Sequence, residues 1–232
     1  NPEFVKVAYD GRYGVLDKFG KVIVPLEYDF VGKMCEDIIV VCKNGLYGCF
    51  DKTGTLIVPL EYDEIKEYAG EMARFRYKGR FGFIDKEGEI LVAPFSDDVE
   101  NFSEGCALVK IKNKYGFVTL QGDWITVPMY EAGGSFSGGL AYVSMHGKYG
   151  YIDKSGELAI PMAYSAAKDF DVVYGLACVS INDKWGVIDR SGNIIIPIEF
   201  DKVTLCTDGY VFVQNGDKCG IFSSEGSELY PV

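Results

Sequence analysis

Residues 113–122 read NKYGFVTLQG, and residues 147–156 read GKYGYIDKSG. Both stretches carry an aromatic-Gly pair at the same place. The pair recurs as Tyr13-Gly14, Tyr47-Gly48, Phe81-Gly82, Tyr115-Gly116, Tyr149-Gly150 and Trp185-Gly186, with a degenerate copy at Cys219-Gly220. The steps between copies are 34, 34, 34, 34, 36 and 34 residues. A fixed period of this size marks a repeat architecture, in which one small unit is copied along the chain. Seven units fill the sequence with no linker between them. Their expected bounds are 4–34, 35–68, 69–102, 103–136, 137–172, 173–206 and 207–232, within a single domain over 1–232.

Each unit reads as three strands. The first alternates: in MARFRYKG, Ala73, Phe75 and Tyr77 fall on one side and Arg74 and Arg76 on the other. A period of two means one buried face. A small residue returns there as Ala73, Ala107, Ala141 and Ala177, which suits strands converging in tight space. The second strand carries the aromatic-Gly pair. A turn such as DKSG at 153–156 follows, and its glycine is present in every copy, from Gly20 and Gly54 to Gly192 and Gly226. Asp at the first position and Gly at the fourth fit a type I turn with the Gly at positive φ. The third strand is a short aliphatic run ending in Pro, at Pro25, Pro59, Pro94, Pro128, Pro161, Pro197 and Pro231. Proline cannot donate to a ladder, so this strand is an edge or stops at the Pro. In the connector after it, Tyr62, Ile65 and Tyr68 are three apart, the spacing of a 3₁₀ turn.

The expected fold is therefore all-β, with seven tandem three-stranded meanders. A lone meander cannot bury its apolar face, and stacked copies can. The aromatic beside each Gly reads as packing, its ring lying over a neighbouring Gly. Seven units suit a β-propeller-like ring, and the recurrent Ala suits a crowded inner strand. The alternative is an open β-solenoid or superhelical array, because the chain begins and ends in one repeat frame and its last unit is degenerate, as a cap would be.

The pattern resembles the WG-repeat (KWG) family. The residues that carry the resemblance are Lys114-Tyr115-Gly116, Lys148-Tyr149-Gly150 and Lys184-Trp185-Gly186, the Asp-Lys-x-Gly turn, and the Pro-x-x-Tyr-Asp element at Pro59 to Asp63. The last copy departs most, with Cys219 and Ser223. The resemblance covers nearly the whole chain. It implies a bacterial origin and a tandem β architecture, often a propeller, and it implies no particular activity.

Composition narrows the function classes. The chain has 232 residues, 48% of them apolar, and a net charge of −11. That charge disfavours nucleic acid, which needs clustered Lys and Arg, and an anionic membrane surface. It fits a partner with basic patches, or serves solubility alone. A typical unbroken aliphatic run, Ile38 to Cys42, has five residues, against roughly twenty for a spanning helix. No signal peptide is visible. The opening NPEF reads as the remnant of an expression tag, under which the natural N-terminus lies elsewhere. The seven Cys include no CxxC pair and read as reduced, buried small hydrophobes, which points to a reducing, cytoplasmic setting.

Chemistry-bearing clusters are sparse. His146 is the only histidine and sits in SMHGKYG, a hairpin turn, so a Ser-His-Asp or Cys-His arrangement would have to use a turn residue. One His excludes a multi-His metal site, and no Cys spacing suits structural zinc. The series Asp17, Asp51, Asp85, Asp153 and Asp189 could suggest metal ligands, but each Asp stands where it caps its own turn. The stretch FSDDVENFSE at 95–104 lacks the order of a calcium loop and reads as a solvated connector. No phosphate-binding glycine loop occurs in a strand-to-helix context. No catalytic residue, metal or cofactor is assigned.

The expected function is a non-catalytic interaction or scaffold module that binds a protein or peptide, with a basic one favoured by charge. Candidate contacts lie in the connectors: Tyr62, Asp63, Glu64, Glu67, Tyr164, Phe200 and Asp201, with Tyr28 and Asp29 equivalent to them. The competing reading is that these rings staple repeats together. Two other functions stand as alternatives. A carbohydrate-binding module would need Tyr115, Tyr149 and Trp185 exposed for stacking. A hydrolase could use paired carboxylates.

Overall fold

A computed structural model describes residues 3–68, 71–100, 102–206 and 208–232, and these contain strands and turns with no helix. Two expected repeat bounds, at residues 69 and 207, lie outside the described residues. The chain groups into two compact units, Asn1–Val99 and Glu100–Val232.

In the first unit, β1 (Phe4–Tyr9), β2 (Arg12–Asp17) and β3 (Val22–Tyr28) make a sheet in that order. The strands β4 (Phe30–Cys35), β5 (Ile38–Lys43), β6 (Leu46–Asp51) and β7 (Leu56–Tyr62) make the second, also in chain order and antiparallel. The four-stranded order is the general one: a connector strand, then the three strands expected from the sequence. It recurs in this unit with Glu64–Ile65 ahead of Met72–Tyr77, Arg80–Asp85 and Ile90–Ser96. In the second unit the connector strands Ala132–Gly133, Ala166–Ala167 and Lys202–Leu205 each pair with the first strand of the hairpin that follows.

The connector is thus a fourth strand, which corrects the expected 3₁₀ turn. Outside β4 it has only two to four residues, too few to show a period of two. What makes it extended is its neighbour: Asp63 N donates to Arg76 O (2.9 Å) and Lys66 N to Arg74 O (2.9 Å), so its polar backbone is satisfied by the next repeat.

In the first six repeats the first and second strands meet at a two-residue turn with both residues at positive φ, as in Asn44-Gly45 (53° and 78°) and His146-Gly147 (51° and 69°). This is the turn type whose twist matches the strands. The second turn of each repeat is closed by its first side chain. Asp51 Oδ1 accepts the N–H groups of Thr53 (2.9 Å) and Thr55 (2.8 Å), and Asp189 Oδ1 those of Ser191 (2.9 Å) and Asn193 (2.8 Å). Thr119 and Ser223 make the same pair of bonds through hydroxyls, at 3.1 to 3.3 Å. The degenerate last repeat therefore keeps its turn.

These caps carry a pH dependence. The Ser155 hydroxyl bond and the backbone N–H groups hold the Asp153 carboxyl below its usual range. For Asp51 and Asp189 partial burial pushes upward, but the bonds from Thr55 and Thr53, and from Asn193 and Ser191, outweigh it. A folded-state pKa below the unfolded value contributes stability above about pH 4 that is lost as pH falls through the lowered value. Thermal midpoints measured from pH 6 to pH 2 should decline below about pH 4. The double substitution Asp153→Asn, Asp189→Asn should flatten that decline.

The prolines do not end the third strand, except near the C-terminus. Pro59 sits mid-strand in β7, and the register slips around it: Tyr47 faces Tyr62 while Cys49 faces Val58. Two steps on β6 match four on β7, so the proline occupies a bulge on an edge strand. The bulged backbone folds over the glycine of the aromatic-Gly pair. A Cβ on Gly48 would stand 2.6 Å from Val58 O, and one on Gly150 2.6 Å from Ile160 O. Close backbone approach fixes this position as glycine; at Gly82 the Phe75 ring crowds it as well, its Cζ 2.8 Å from where a Cβ would stand.

The core lies between consecutive sheets. Val15, Val24 and Tyr28 of the first sheet pack with Val31, Ile39 and Val41 of the second. Cys49, Val58 and Tyr62 of the second pack with Ile65, Ala73 and Phe75 of the third. The second unit repeats this with Phe117 against Phe136 and Val143, and Tyr151 against Phe170 and Val179. Each Val, Ile or Phe among these contributes about 1.5–3 kcal/mol when fully buried, and one isolated sheet would leave that face in water.

Candidate functional site at the free edges and connectors

Among the described residues, the third strand of each repeat, such as β3 or β7, pairs with another strand on one side only. Its first residue is apolar in six of the seven repeats and stands in water. In the first unit these are Val22, Leu56 and Ile90, between 43% and 54% exposed; in the second they are Trp124, Leu158 and Ile194, between 37% and 59%. In the first sheet the next two residues, Ile23 and Val24, are buried. The seventh strand, Glu228–Tyr230, begins with an acid instead. Further along the same strands Glu27, Glu61 and Glu199 are exposed. The sequence patterning, which marked these runs as edge strands, did not single out this row. The signal that could have found it is the run length: VIVP and LIVP hold one more apolar residue than the bulged strand can turn inward.

The connector residues expected to bind are placed as follows. Tyr62, Tyr164 and Phe200 are buried in the cores between sheets, as is Tyr28. Tyr62 lies edge-on to Phe75, ring centroids 4.9 Å apart. These rings staple repeats. Asp63 Oδ2 accepts the Gly79 N–H (2.9 Å), and Asp201 Oδ2 accepts the Gly216 N–H (2.7 Å). Both acids therefore close the hairpin turn of the next repeat. Several also pair with a cation of the preceding hairpin: Asp29 with Arg12, Glu131 with Lys114 and Asp201 with Lys184. Glu64 is paired with Lys66 at 2.5 Å, and Glu67 is exposed. The structure thus brings Tyr62, Asp63 and Glu64 together as a joint between repeats, with Glu67 facing solvent.

The acidic stretch at 95–104 is more engaged than a solvated connector. Asp97 pairs with Arg80, and the Glu104 carboxylate accepts the Gly138 and Gly139 N–H groups (2.6 and 2.9 Å) beside Lys154. Asp169, hemmed by Tyr142 and Gly134, has its carboxyl pushed up by desolvation and by the charge of Glu100. Among the described residues no group of three or more His, Cys, Asp and Glu could hold a metal ion. His146 is an exposed turn residue, as its sequence context indicates.

The aromatic-Gly rings are half-buried. The Lys110 ammonium lies over Tyr115 and that of Lys168 over Trp185, each 5.3 Å from the ring centre. Tyr149 leans on Tyr142, centroids 6.1 Å apart. Each of these rings thus has a side chain of its own repeat or of the adjoining connector against it.

All seven cysteines are free thiols. Cys42, Cys49, Cys106 and Cys178 are buried, and Cys219 is exposed. Burial pushes the Cys49 thiol up to about 12, and the thiolate is the reactive form. Ellman's reagent at neutral pH should therefore modify Cys219 quickly and Cys49 only on unfolding. Cys219→Ser should remove the fast phase.

Among solved structures the chain is similar to a eukaryotic initiation factor, at 10% identity, covering 98% of this chain and 73% of that one, with a TM-score of 0.48. It is similar to Hsv2 of Kluyveromyces lactis at 10% identity, over 82% of this chain and 71% of that one, TM-score 0.43. It is also similar to PorZ of Porphyromonas gingivalis at 13% identity, over 100% of this chain and 37% of that one, TM-score 0.39. No curated protein matches the sequence. The family model described as WG containing repeat matches six times in tandem, at residues 13–47, 47–80, 81–115, 115–149, 149–185 and 185–219. Each match runs from one aromatic-Gly pair to the next, across the turn cap, the bulged edge strand and the connector joint, and the chain belongs to the WG containing repeat family.

Proposed function

We propose that the chain is a non-catalytic protein-interaction module whose contact surface is the row of free third strands. The observation that carries this reading is the exposed apolar residue at one fixed position of successive strands, Val22, Leu56 and Ile90 in the first unit. A repeated scaffold can hold such a row at constant spacing while the core stays unchanged. An open strand edge also offers unpaired backbone groups to an extended peptide. Glu27 and Glu61 lie on the same strands, and Glu67 on the adjoining connector. This acidic border suits a partner segment that alternates apolar and basic residues, and its contribution weakens with salt.

The test is affinity capture from lysate of the source organism, followed by titration of the captured protein. Leu56→Glu with Ile90→Glu should weaken binding at every salt concentration. Glu61→Lys with Glu67→Lys should weaken it at low salt and less at moderate salt. Asp63 is left intact because it closes a turn. Equal affinity for both variants and the wild type would overturn this surface as the contact.

A further inference from the structure

Four of the aromatic-Gly rings carry a cation of the chain itself. Lys6 Nζ lies 4.6 Å from the centre of the Tyr13 ring, and the Arg74 guanidinium 5.0 Å from that of Phe81. Lys110 and Lys168 lie over Tyr115 and Trp185. Lys6 and Arg74 hold the same repeat position relative to their rings, and both reach the connector strand of the next sheet. Lys6 Nζ donates to Val31 O (2.5 Å). Arg74 donates to Val99 O (2.8 Å), with the Asp98 carboxylate 4.0 Å away. A cation held over a ring and beside connector oxygens is thus a joint that the repeat builds from its own side chains.

The fifth repeat keeps the ring, Tyr149, but has Tyr142 at the position of Lys6 and Arg74. The two tyrosine rings stand 6.1 Å apart, tilted 46° to each other. Two carboxylates gather beside them. Asp169, from the following connector, meets Tyr142 over Gly134, where an added Cβ would collide with both. Glu100, from the preceding connector, accepts the Ser135 hydroxyl (2.8 Å). Among the described residues no Lys or Arg forms an ion pair with either acid. All of these groups belong to the second unit, and both acids keep an exposed side. Desolvation of the Asp169 carboxyl and the charge of Glu100 both disfavour its ionised form. A cation at this place would offset both effects.

We propose that Tyr142, Tyr149, Asp169 and Glu100 receive a cationic side chain, lysine or arginine, of a partner polypeptide, in the role that Lys6 and Arg74 fill in the first and third repeats. The occupant follows from charge. Ring faces and unpaired carboxylates attract a cation and repel an anion. The net charge of −11 favours the approach of a basic segment. Equivalent places elsewhere are already satisfied: near Tyr47, which leans on Phe30, Glu64 has Lys66 as its partner. The inference rests on the interaction-module reading but uses the connector edge of the sheets, opposite the third strands. Its failure leaves the Leu56 and Ile90 surface standing.

The probes are the Nα-acetyl methylamides of lysine and arginine, titrated into the intact protein with ¹³C-labelled tyrosine rings. Sodium chloride at matched ionic strength is the reference. The expected result is a saturable shift of the Tyr142 and Tyr149 signals with a midpoint on the order of 10 mM, and none with the neutral norleucine analogue. Asp169→Asn should weaken binding about fivefold, the upper end for one ion pair at an exposed site. The same variant should raise the thermal midpoint at pH 7, because folding disfavours the charged form. Tyr142→Leu should keep the fold, since Leu108 holds that position in the preceding repeat, and should also weaken binding. Tyr142→Lys should supply the cation from within, raise the midpoint and abolish binding of both probes. No saturable shift with either probe by about 100 mM would overturn the inference. Shifts confined to other tyrosines, or wild-type affinity in any of the three variants, would overturn it equally.

Discussion

Gly48→Val is expected to lower the stability of the chain by about 3 kcal/mol or more, the upper part of the range for forcing atoms into a packed site. Even the first added carbon would stand 2.6 Å from Val58 O and 3.1 Å from the Pro59 backbone. Neither contact is with a flexible side chain, so β7 would have to lift off β6. That lift would pull Val58 and Tyr62 out of the core they share with Phe75. At this chain length about 2–4 °C of melting temperature accompanies each kcal/mol, so the thermal midpoint should fall by roughly 10 °C. Gly48→Ala should already show most of the loss. A midpoint unchanged within error for both would mean that the edge strand does not pass over Gly48 as described.

Gly88→Val should be nearly as damaging, for two separable reasons. The residue has φ of +87°, and an added Cβ would lie 2.8 Å from Ile57 O of the preceding repeat. Holding a β-branched residue in that conformation costs about 1–3 kcal/mol, and the clash adds to it. Gly192 separates the terms: its φ is +82°, but an added Cβ meets only the Ile160 side chain, at 3.5 Å and beyond. Asparagine tolerates left-handed backbone better than valine. Gly192→Asn should therefore be close to neutral, while Gly88→Asn should still lower the midpoint clearly. Equal midpoints for these two asparagine variants would remove the Ile57 contact from the explanation.

How much was legible in the sequence follows the range of each interaction. The turn caps were readable because Asp51 and its N–H partners Thr53 and Thr55 are within four residues of one another. The edge character of the third strand was readable because it follows from proline's missing donor. The need for Gly48 was misread, because the atom that excludes a side chain belongs to Val58, and nothing local to Tyr47-Gly48 shows where β7 will bend. The joint made by Asp63 was read as a contact surface for the same reason. Its partner Gly79 lies across a repeat boundary, and an acid in a polar connector looks solvated until that boundary is folded. Tyr62 and Phe200 were weighed as binding rings or staples on composition alone, and only their burial decides the role these rings play in the fold.

The shared connector strand has a thermodynamic consequence. Each four-stranded sheet is completed by residues encoded in the repeat before it, so the unit of sequence duplication and the unit of folding are out of phase. Removing one period from the gene leaves every remaining junction intact, because each connector still meets a first strand and a hairpin turn of the same kind. Unfolding one period does the opposite, stripping an edge from one neighbour and a packed face from both. Within each compact unit that asymmetry favours steep, collective transitions over fraying. It permits copy number to drift over generations while making partial copies expensive in any single molecule.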